Sequence, residues 1–428
     1  MPLTPAQPLS DDAFAALMAP LGPFGAAPAL AAGVSGGPHS LALALLAQRW
    51  ASTRGGSLLA LVVDHGLRQE SAAEAAHVAA LLASQGIAAE ILPLALPPGP
   101  AMQERAREAR LAALLAACAR HGRPWLLLGQ HRQDQAETLL FRALRGSGAA
   151  GLAAMAPLRA RAEALLLRPL LEVPPSRLEA VCAAAGLAPV RDPSNLNPRF
   201  ARIRLRQALA DPGGEGAGTA ALAEAATAFA TRAARQEAAL AERLAAAARL
   251  HPEGFAELDP AALGQDALAE LALARLLRVV SGGLHAPARA QVAALLRRGQ
   301  GSLGGAVLRG GRRWRLLREA SAMAGPVPAA PGALWDGRFR LSGPGRPGHD
   351  LAALGSLAPP GLRAAARHLP AAVLPTLPAI FCEGSLVVVP ALFYPATEAC
   401  APFRLAFAPA GGPATGQGSA TEGAFAAN

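Results

Sequence analysis

Residues 35–40, Ser35-Gly36-Gly37-Pro38-His39-Ser40, lie between an apolar run, Ala29–Val34, and an apolar helical pattern, Leu41–Leu46. Two adjacent glycines let successive backbone N–H groups curl around an anion, and a helix starting there adds partial positive charge. Pro38 suits a first helical turn, where its missing N–H would be unpaired anyway. Ser35 and Ser40 each add a hydroxyl. The chemistry this supports is a phosphate cradle, and an ordinary strand-to-helix turn is the competing reading. No Gly-Lys-Ser/Thr follows, so it is not a Walker loop.

Three further groups carry chemistry. Asp64-His65-Gly66 and Gly129-Gln130-His131 each end an apolar run. His131 continues into Arg132-Gln133-Asp134-Gln135-Ala136-Glu137-Thr138, where Asp134 and Glu137 stand three apart, a spacing that also suits a helix cap. Arg107 falls near the start of a predicted helix, where a cation works against the dipole and calls for an anionic ligand. Arg145, in Leu144-Arg145-Gly146-Ser147-Gly148, suits a phosphate contact or a helix C-terminus. Arg202, Arg204 and Arg206 alternate along a basic segment, as an RNA contact or a solvated face.

The elements that must position these groups alternate. Apolar runs at 29–34, 57–63, 88–92, 125–129 and 165–171 predict strands, and the stretches at 71–85, 101–121, 134–144 and 175–185 predict helices. This pattern predicts an α/β fold, a doubly wound parallel sheet with helices on both faces. Ligands of such sheets sit beyond the carboxyl ends of the strands, which puts residues 35–40, 64–66 and 129–131 on one rim. A peripheral helix capped by Ser10 precedes the sheet. After the glycine-rich stretch 212–218, residues 219–298 read as a helical domain and 299–408 as a small region of α+β character. Residues 409–428, rich in Gly, Ala, Thr and Ser, read as a disordered tail.

The 428 residues carry a net charge of +10, and all forty basic residues are arginine. That sign favours a polyanionic partner, most simply a nucleic acid. Cys118, Cys182, Cys382 and Cys400 form no Cys-x-x-Cys pair, which argues against zinc or a disulfide framework and fits a reducing cytoplasm. No signal peptide is expected, and no run of about 18 apolar residues predicts a membrane span.

Taken in order, Ser35-Gly36-Gly37-x-x-Ser40, Val63-Asp64-His65-Gly66-Leu67-Arg68, Ala106-Arg107-x-x-Arg110, His131-x-x-Asp134-Gln135-Ala136-Glu137-Thr138, Leu144–Gly148 and Asp192-Pro193-Ser194-Asn195 resemble the tRNA(Ile)-lysidine synthetases. These are a branch of the PP-loop ATP pyrophosphatases. The resemblance is specific over roughly residues 29–206 and weaker beyond.

It implies a PP-loop catalytic domain over 1–210, a tRNA-contacting domain over 219–298 and a C-terminal region that also reaches tRNA. The implied reaction adenylates the wobble cytidine of an isoleucine tRNA with a CAU anticodon, releasing pyrophosphate; the amine of free lysine then displaces AMP. By the same resemblance ATP is held by Ser35, Gly36, Gly37, Pro38, His39 and Ser40, with Asp64, His65, Gly129 and His131. Asp134, Arg107 and His39 are implied in catalysis, Arg145, Arg202 and Arg206 in tRNA binding, and Asp134 in holding Mg2+. No membrane partner is implied, and the oligomeric state stays open, a homodimer included. Two positions depart from the family's pattern: His39 and Gln133 stand where acids are usual. A weakened or non-catalytic RNA-binding relative is therefore one alternative. Another PP-loop tRNA-modifying enzyme, such as a thiolase, is a second, although thiolases generally need the cysteine pairs missing here.

Overall fold

The computed structural model describes residues 6–66, 71–94, 99, 102–190, 201–356, 358–395 and 403–415. They divide into two compact units, Met1–Ala233 and Ala234–Gly423.

The first unit begins with α1 (Asp11–Met18), where the Ser10 hydroxyl accepts the Ala13 N–H at 3.2 Å and Phe14 and Met18 are buried. In order come β1 (Ala29–Val34), α2 (Pro38–Ser52), β2 (Ser57–Asp64), α3 (Ser71–Ser84), β3 (Ala88–Pro93) and α4 (Met102–Arg120). They continue with β4 (Trp125–Leu128), α5 (Arg132–Leu144), α6 (Ala149–Leu152), β5 (Leu158–Ala160), β6 (Leu165–Leu167), α7 (Pro175–Ala184) and α8 (Ala201–Leu209). The unit boundary falls within α9 (Ala217–Ala247).

One six-stranded sheet runs β3-β2-β1-β4-β6-β5, parallel except for β5, which pairs antiparallel with β6. Leu30, Ala31, Ala32 and Val34 of β1 are buried on both sides, as a parallel sheet covered on two faces requires. One apolar cluster joins α1, α2, α3 and α7 to one face; another joins α4 to the other. Residues 40–47 of α2 are all buried, so that helix is apolar all round rather than amphipathic.

The second unit contains β7 (Ala248–Leu250), β8 (Ala256–Leu258), α10 (Pro260–Leu263), α11 (Ala267–Ser281), α12 (Arg289–Arg298), β9 (Gly301–Leu303), β10 (Ala306–Arg309) and β11 (Trp314–Arg318). Its main sheet is antiparallel, in the order β7-β8-β11-β10-β9, and packs against α11 and α12. Because β8 pairs with β11, backbone hydrogen bonds bridge position 298, and the stretch read as purely helical contains two strands. Further on lie β12 (Val327–Pro328), β13 (Leu334–Trp335), β14 (Phe339–Leu341), β15 (His349–Ala353), α13 (Pro360–Ala365), β16 (Pro378–Cys382), β17 (Ser385–Val388) and β18 (Leu405–Phe407). They form two small sheets, β12-β15-β16-β17 and β13-β14-β18.

Part of the expected tail is ordered: the buried Arg278 guanidinium donates to the carbonyls of Gly411 and Pro413. Residues 416–428 lie outside the described residues. No helix among the described residues is long and apolar enough to cross a membrane.

Candidate active site

The strand order reverses direction between β1 and β4, and in open α/β sheets the ligand crevice opens at that switch point. Both flanking loops carry the polar residues singled out from the sequence. Gly37 is the N-cap of α2 and Pro38 its first residue. Ser40 is buried and shapes the loop: its hydroxyl accepts the Ser35 N–H at 3.1 Å and donates to the Gly37 carbonyl at 2.9 Å. Ser35 is left as the exposed hydroxyl.

Gly36 has φ +79°, and a Cβ there would stand 2.4 Å from Val78 Cγ2, so this position requires glycine. At Gly129 a Cβ would lie 3.2 Å from the His39 carbonyl and from Ser40 Cα. Gly129 is thus where β4 approaches the cradle, a packing role as much as a nucleotide contact.

That approach stacks His39 against His131 edge to face, ring centroids 4.1 Å apart. Burial, then the neighbouring His131 ring, pushes the His39 pKa down to about 3. His131 is 2% exposed, and burial lowers its pKa as well. Both rings are therefore neutral near pH 7, and His39 is far too weak a base to be the proton acceptor there. His39 Nε2 lies 3.9 Å from Glu179 Oε1, a residue of α7 that sequence reading passed over. No local pattern could have linked positions 39 and 179.

Helix α5 starts two residues earlier than expected, with His131 as its N-cap. Asp134, not Glu137, is the capping acid: its Oδ2 accepts the His131 N–H at 3.0 Å. Glu137 is 1% exposed and grips Arg206 of α8, with Arg206 Nη2 also 3.6 Å from Asp134 Oδ1. Burial lowers the Arg206 pKa, but the Glu137 hydrogen bond and the charges of Glu137 and Asp134 outweigh it, and the net shift is upward. The guanidinium that the resemblance puts on tRNA is engaged by Glu137 and Asp134, with its side chain 40% exposed. Gln133 is buried and donates from Nε2 to the Asp211 carbonyl at 3.2 Å.

The other rim residues are more dispersed. Asp64 ends β2, where its Oδ1 accepts the Gly66 N–H at 3.0 Å and the Ser71 hydroxyl; the Ser71 bond, then Gly66, holds its pKa low. His65 follows directly. On α4, Arg107 is exposed, whereas Arg110 is half-buried with no described carboxylate beside it. Burial, then the like charge of Arg107, lowers the Arg110 pKa. Arg145 caps the C-terminus of α5 and lies over the Phe141 ring at 4.6 Å. The Arg202 side chain, Leu67-Arg68 and Asp192-Pro193-Ser194-Asn195 lie outside the described residues.

Magnesium demands oxygen ligands and is usually held through one or two carboxylates plus phosphate oxygens. Among the described residues no three His, Cys, Asp or Glu side chains group to hold a metal. At the rim Asp134 already accepts a backbone N–H and faces Arg206, position 39 offers an imidazole, and the Gln133 amide points at Asp211. Among the described residues the chain by itself offers no preformed magnesium cage, and ATP phosphate oxygens would have to complete a set around Asp134.

A family model described as a PP-loop domain matches residues 10–212, which takes in the whole six-stranded sheet. A tRNA(Ile)-lysidine synthase from Ruegeria pomeroyi is 37% identical over 381 residues, covering 84% of this chain and 88% of that protein. The chain belongs to the tRNA(Ile)-lysidine synthase family. A second lysidine synthase, from Rhodopseudomonas palustris, is 46% identical over 218 residues, covering 50% of this chain and 62% of the relative. A third, from Methylobacterium nodulans, is 41% identical over 293 residues, covering 66% and 84%. Against the Rhodopseudomonas relative the chain therefore spans less than two-thirds of the partner's length. A solved U34-tRNA thiolase from Methanococcus maripaludis, with its iron–sulfur cluster, is 16% identical, with a TM-score of 0.42 over 53% of this chain and 80% of that one. Within the lysidine synthase family, His39 and Gln133 now have physical surroundings: an edge-to-face imidazole pair and a buried helix anchor.

Proposed function

We propose that the chain ligates free lysine to C2 of the wobble cytidine of an isoleucine tRNA with a CAU anticodon, using ATP. The cytidine O2 attacks the α-phosphorus as the bond to pyrophosphate breaks. The lysine ε-amine, having lost a proton, then attacks C2 as the C2–O bond to AMP breaks. The products are lysidine, AMP and pyrophosphate.

The observation that carries the reading is the packing of His39 on His131, centroids 4.1 Å apart, which joins the cradle and the Asp134 segment into one site. The Gly36 and Gly37 amides and the Ser35 hydroxyl suit the leaving pyrophosphate. Neutral His39 serves as a hydrogen-bond partner for a phosphate oxygen. Arg107 and Arg110 balance charge at the α-phosphate. A lysine ammonium, with an ordinary pKa of about 10.4, must lose its proton before attack, and Asp134 is the carboxylate at the rim suited to attract and relay it. The second unit is read as the part that contacts tRNA, in the reducing cytoplasm that the free thiols of Cys118, Cys182 and Cys382 suit.

Asp134→Asn tests the assignment. Labelled lysine incorporation should fall by roughly two orders of magnitude, the scale of a lost general base. Incorporation equal to that of the unaltered chain would remove Asp134 from the mechanism.

A further inference from the structure

We propose that the segment from α7 to Val190 is a brace that aims the amides of the 35–40 cradle, with Cys182 as a positioning residue for ATP. It rests on the reading above only in taking the cradle as the site of the pyrophosphate. Cys182 is 1% exposed in α7, and no step of the reaction uses its thiol. Its S–H donates to the Pro38 carbonyl at 3.1 Å, across 144 positions of sequence. Further along the same segment, the Val190 N–H donates to the Gly36 carbonyl at 2.9 Å.

A trans peptide is planar, so its carbonyl and its N–H point in opposite directions. The Gly36–Gly37 and Pro38–His39 peptides are both trans. Anchoring the Gly36 carbonyl to Val190 therefore turns the Gly37 N–H the opposite way. Anchoring the Pro38 carbonyl to Cys182 does the same for the His39 N–H. Gly37 is the N-cap of α2 and His39 its second residue, so both N–H groups belong to the set that a helix leaves without an internal partner. These are the donors that a phosphate meets at a helix N-terminus. Two other positions add none: the Ser35 N–H goes to the Ser40 hydroxyl at 3.1 Å, and Pro38 has no N–H.

A peptide between two glycines meets few steric limits, so its direction needs an anchor from outside the loop. Val190 supplies more than its N–H: its Cγ2 would stand 3.3 Å from a Cβ at Gly36, so side chain and backbone both bear on that glycine. Burial pushes the Cys182 thiol up to about 11, so near pH 7 it keeps the proton it donates. An S–H bond is weak, which suits a group that trims the amides' direction rather than one that holds the loop together.

The test compares the full chain with Cys182→Ala, Cys182→Ser and Val190→Pro, the last of which removes the N–H donor. Affinities for ATP and for AMP, which lacks the pyrophosphate, are measured by calorimetry with magnesium and without tRNA or lysine. Cys182→Ala should weaken ATP roughly threefold, the scale of one weak hydrogen bond, and leave AMP unchanged. Cys182→Ser, which keeps a donor, should recover most of that loss. Val190→Pro should weaken ATP by about five- to tenfold, the scale of one backbone bond, again sparing AMP. The two Cys182 variants decide the matter if Val190→Pro does not fold. Unchanged ATP affinity in Cys182→Ala, an equal loss for ATP and AMP, or a Ser variant as weak as the Ala variant would each overturn the brace. Lysine incorporation by the unaltered chain is assayed alongside. A chain that incorporates no lysine, yet whose variants lose ATP and not AMP, defeats the proposed function and leaves the brace standing. Full incorporation with ATP affinity unmoved in the variants does the reverse.

Discussion

Arg206 Nε lies 2.6 Å from Glu137 Oε1, and its Nη2 lies 3.3 Å from Oε2, so a guanidinium fork closes on a carboxylate that is almost wholly buried. The pair joins α8 to α5 across 69 positions of sequence and sets the electrostatics beside Asp134. Removing the cation leaves Glu137 buried and uncompensated. Arg206→Ala should lower unfolding free energy by about 2–4 kcal/mol in urea melts, below the usual cost of breaking a fully buried pair because Arg206 is 40% exposed. Arg206→Lys should recover part of it. A midpoint within error of the unaltered protein would show that the pair contributes nothing to the fold.

The paired histidines make a pH prediction. Both His39 and His131 have pKa values below the ordinary 6.5 in the folded chain, His39 at about 3. Below pH 6.5 the unfolded state takes up protons that the folded rings refuse, so stability falls as the pH falls, by at most about 1.4 kcal/mol per pH unit for each ring. For His39 the loss levels off only near its folded pKa. Urea melts between pH 7.5 and 4.5 should show this acid limb, and His39→Gln should make it shallower. A His39→Gln variant with the same limb would mean that the ring titrates normally in the folded protein.

The sheet was readable in the sequence because its central strands β1, β2 and β4 are continuous, mostly buried apolar runs, and the cradle because Ser-Gly-Gly-Pro follows one of them. The three-residue strands β5, β7 and β8 were not, since nothing so short displays a period, and each is set by its pairing, β5 with β6, β7 with β8 and β8 with β11. The rim residues 35–40 and 131–134 were legible and do meet. What each polar side chain does there was less so. Asp134 and Glu137 look alike in sequence, but one caps a helix at the rim and the other is buried against an arginine that the alternating Arg202-x-Arg204-x-Arg206 pattern suggested for RNA. Glu179 stood out only once its neighbour was known, and Arg110, quoted in a motif, acquired its burial only from the fold.

The donor set at the rim makes a prediction about metal. With His39 and Gln133 in place of acids, manganese titrated into the chain without nucleotide, and followed by electron paramagnetic resonance, should show no stoichiometric tight binding. His39→Asp should bring binding closer to the micromolar range by adding a hard oxygen ligand beside Asp134. Tight binding of one manganese by the unaltered chain alone would contradict the reading of the site.

The central claim is the chemistry itself, and one measurement tests it most directly. The purified full chain is incubated with labelled lysine, ATP, magnesium and CAU-anticodon isoleucine tRNA, and lysine bound to tRNA is counted beside AMP and pyrophosphate. The account predicts one lysine per tRNA, with AMP and pyrophosphate formed in equal amounts and none of the three without ATP. Tight tRNA binding with neither AMP release nor lysine incorporation would contradict it, and would make the chain a non-catalytic relative that lost its chemistry at His39 and Gln133.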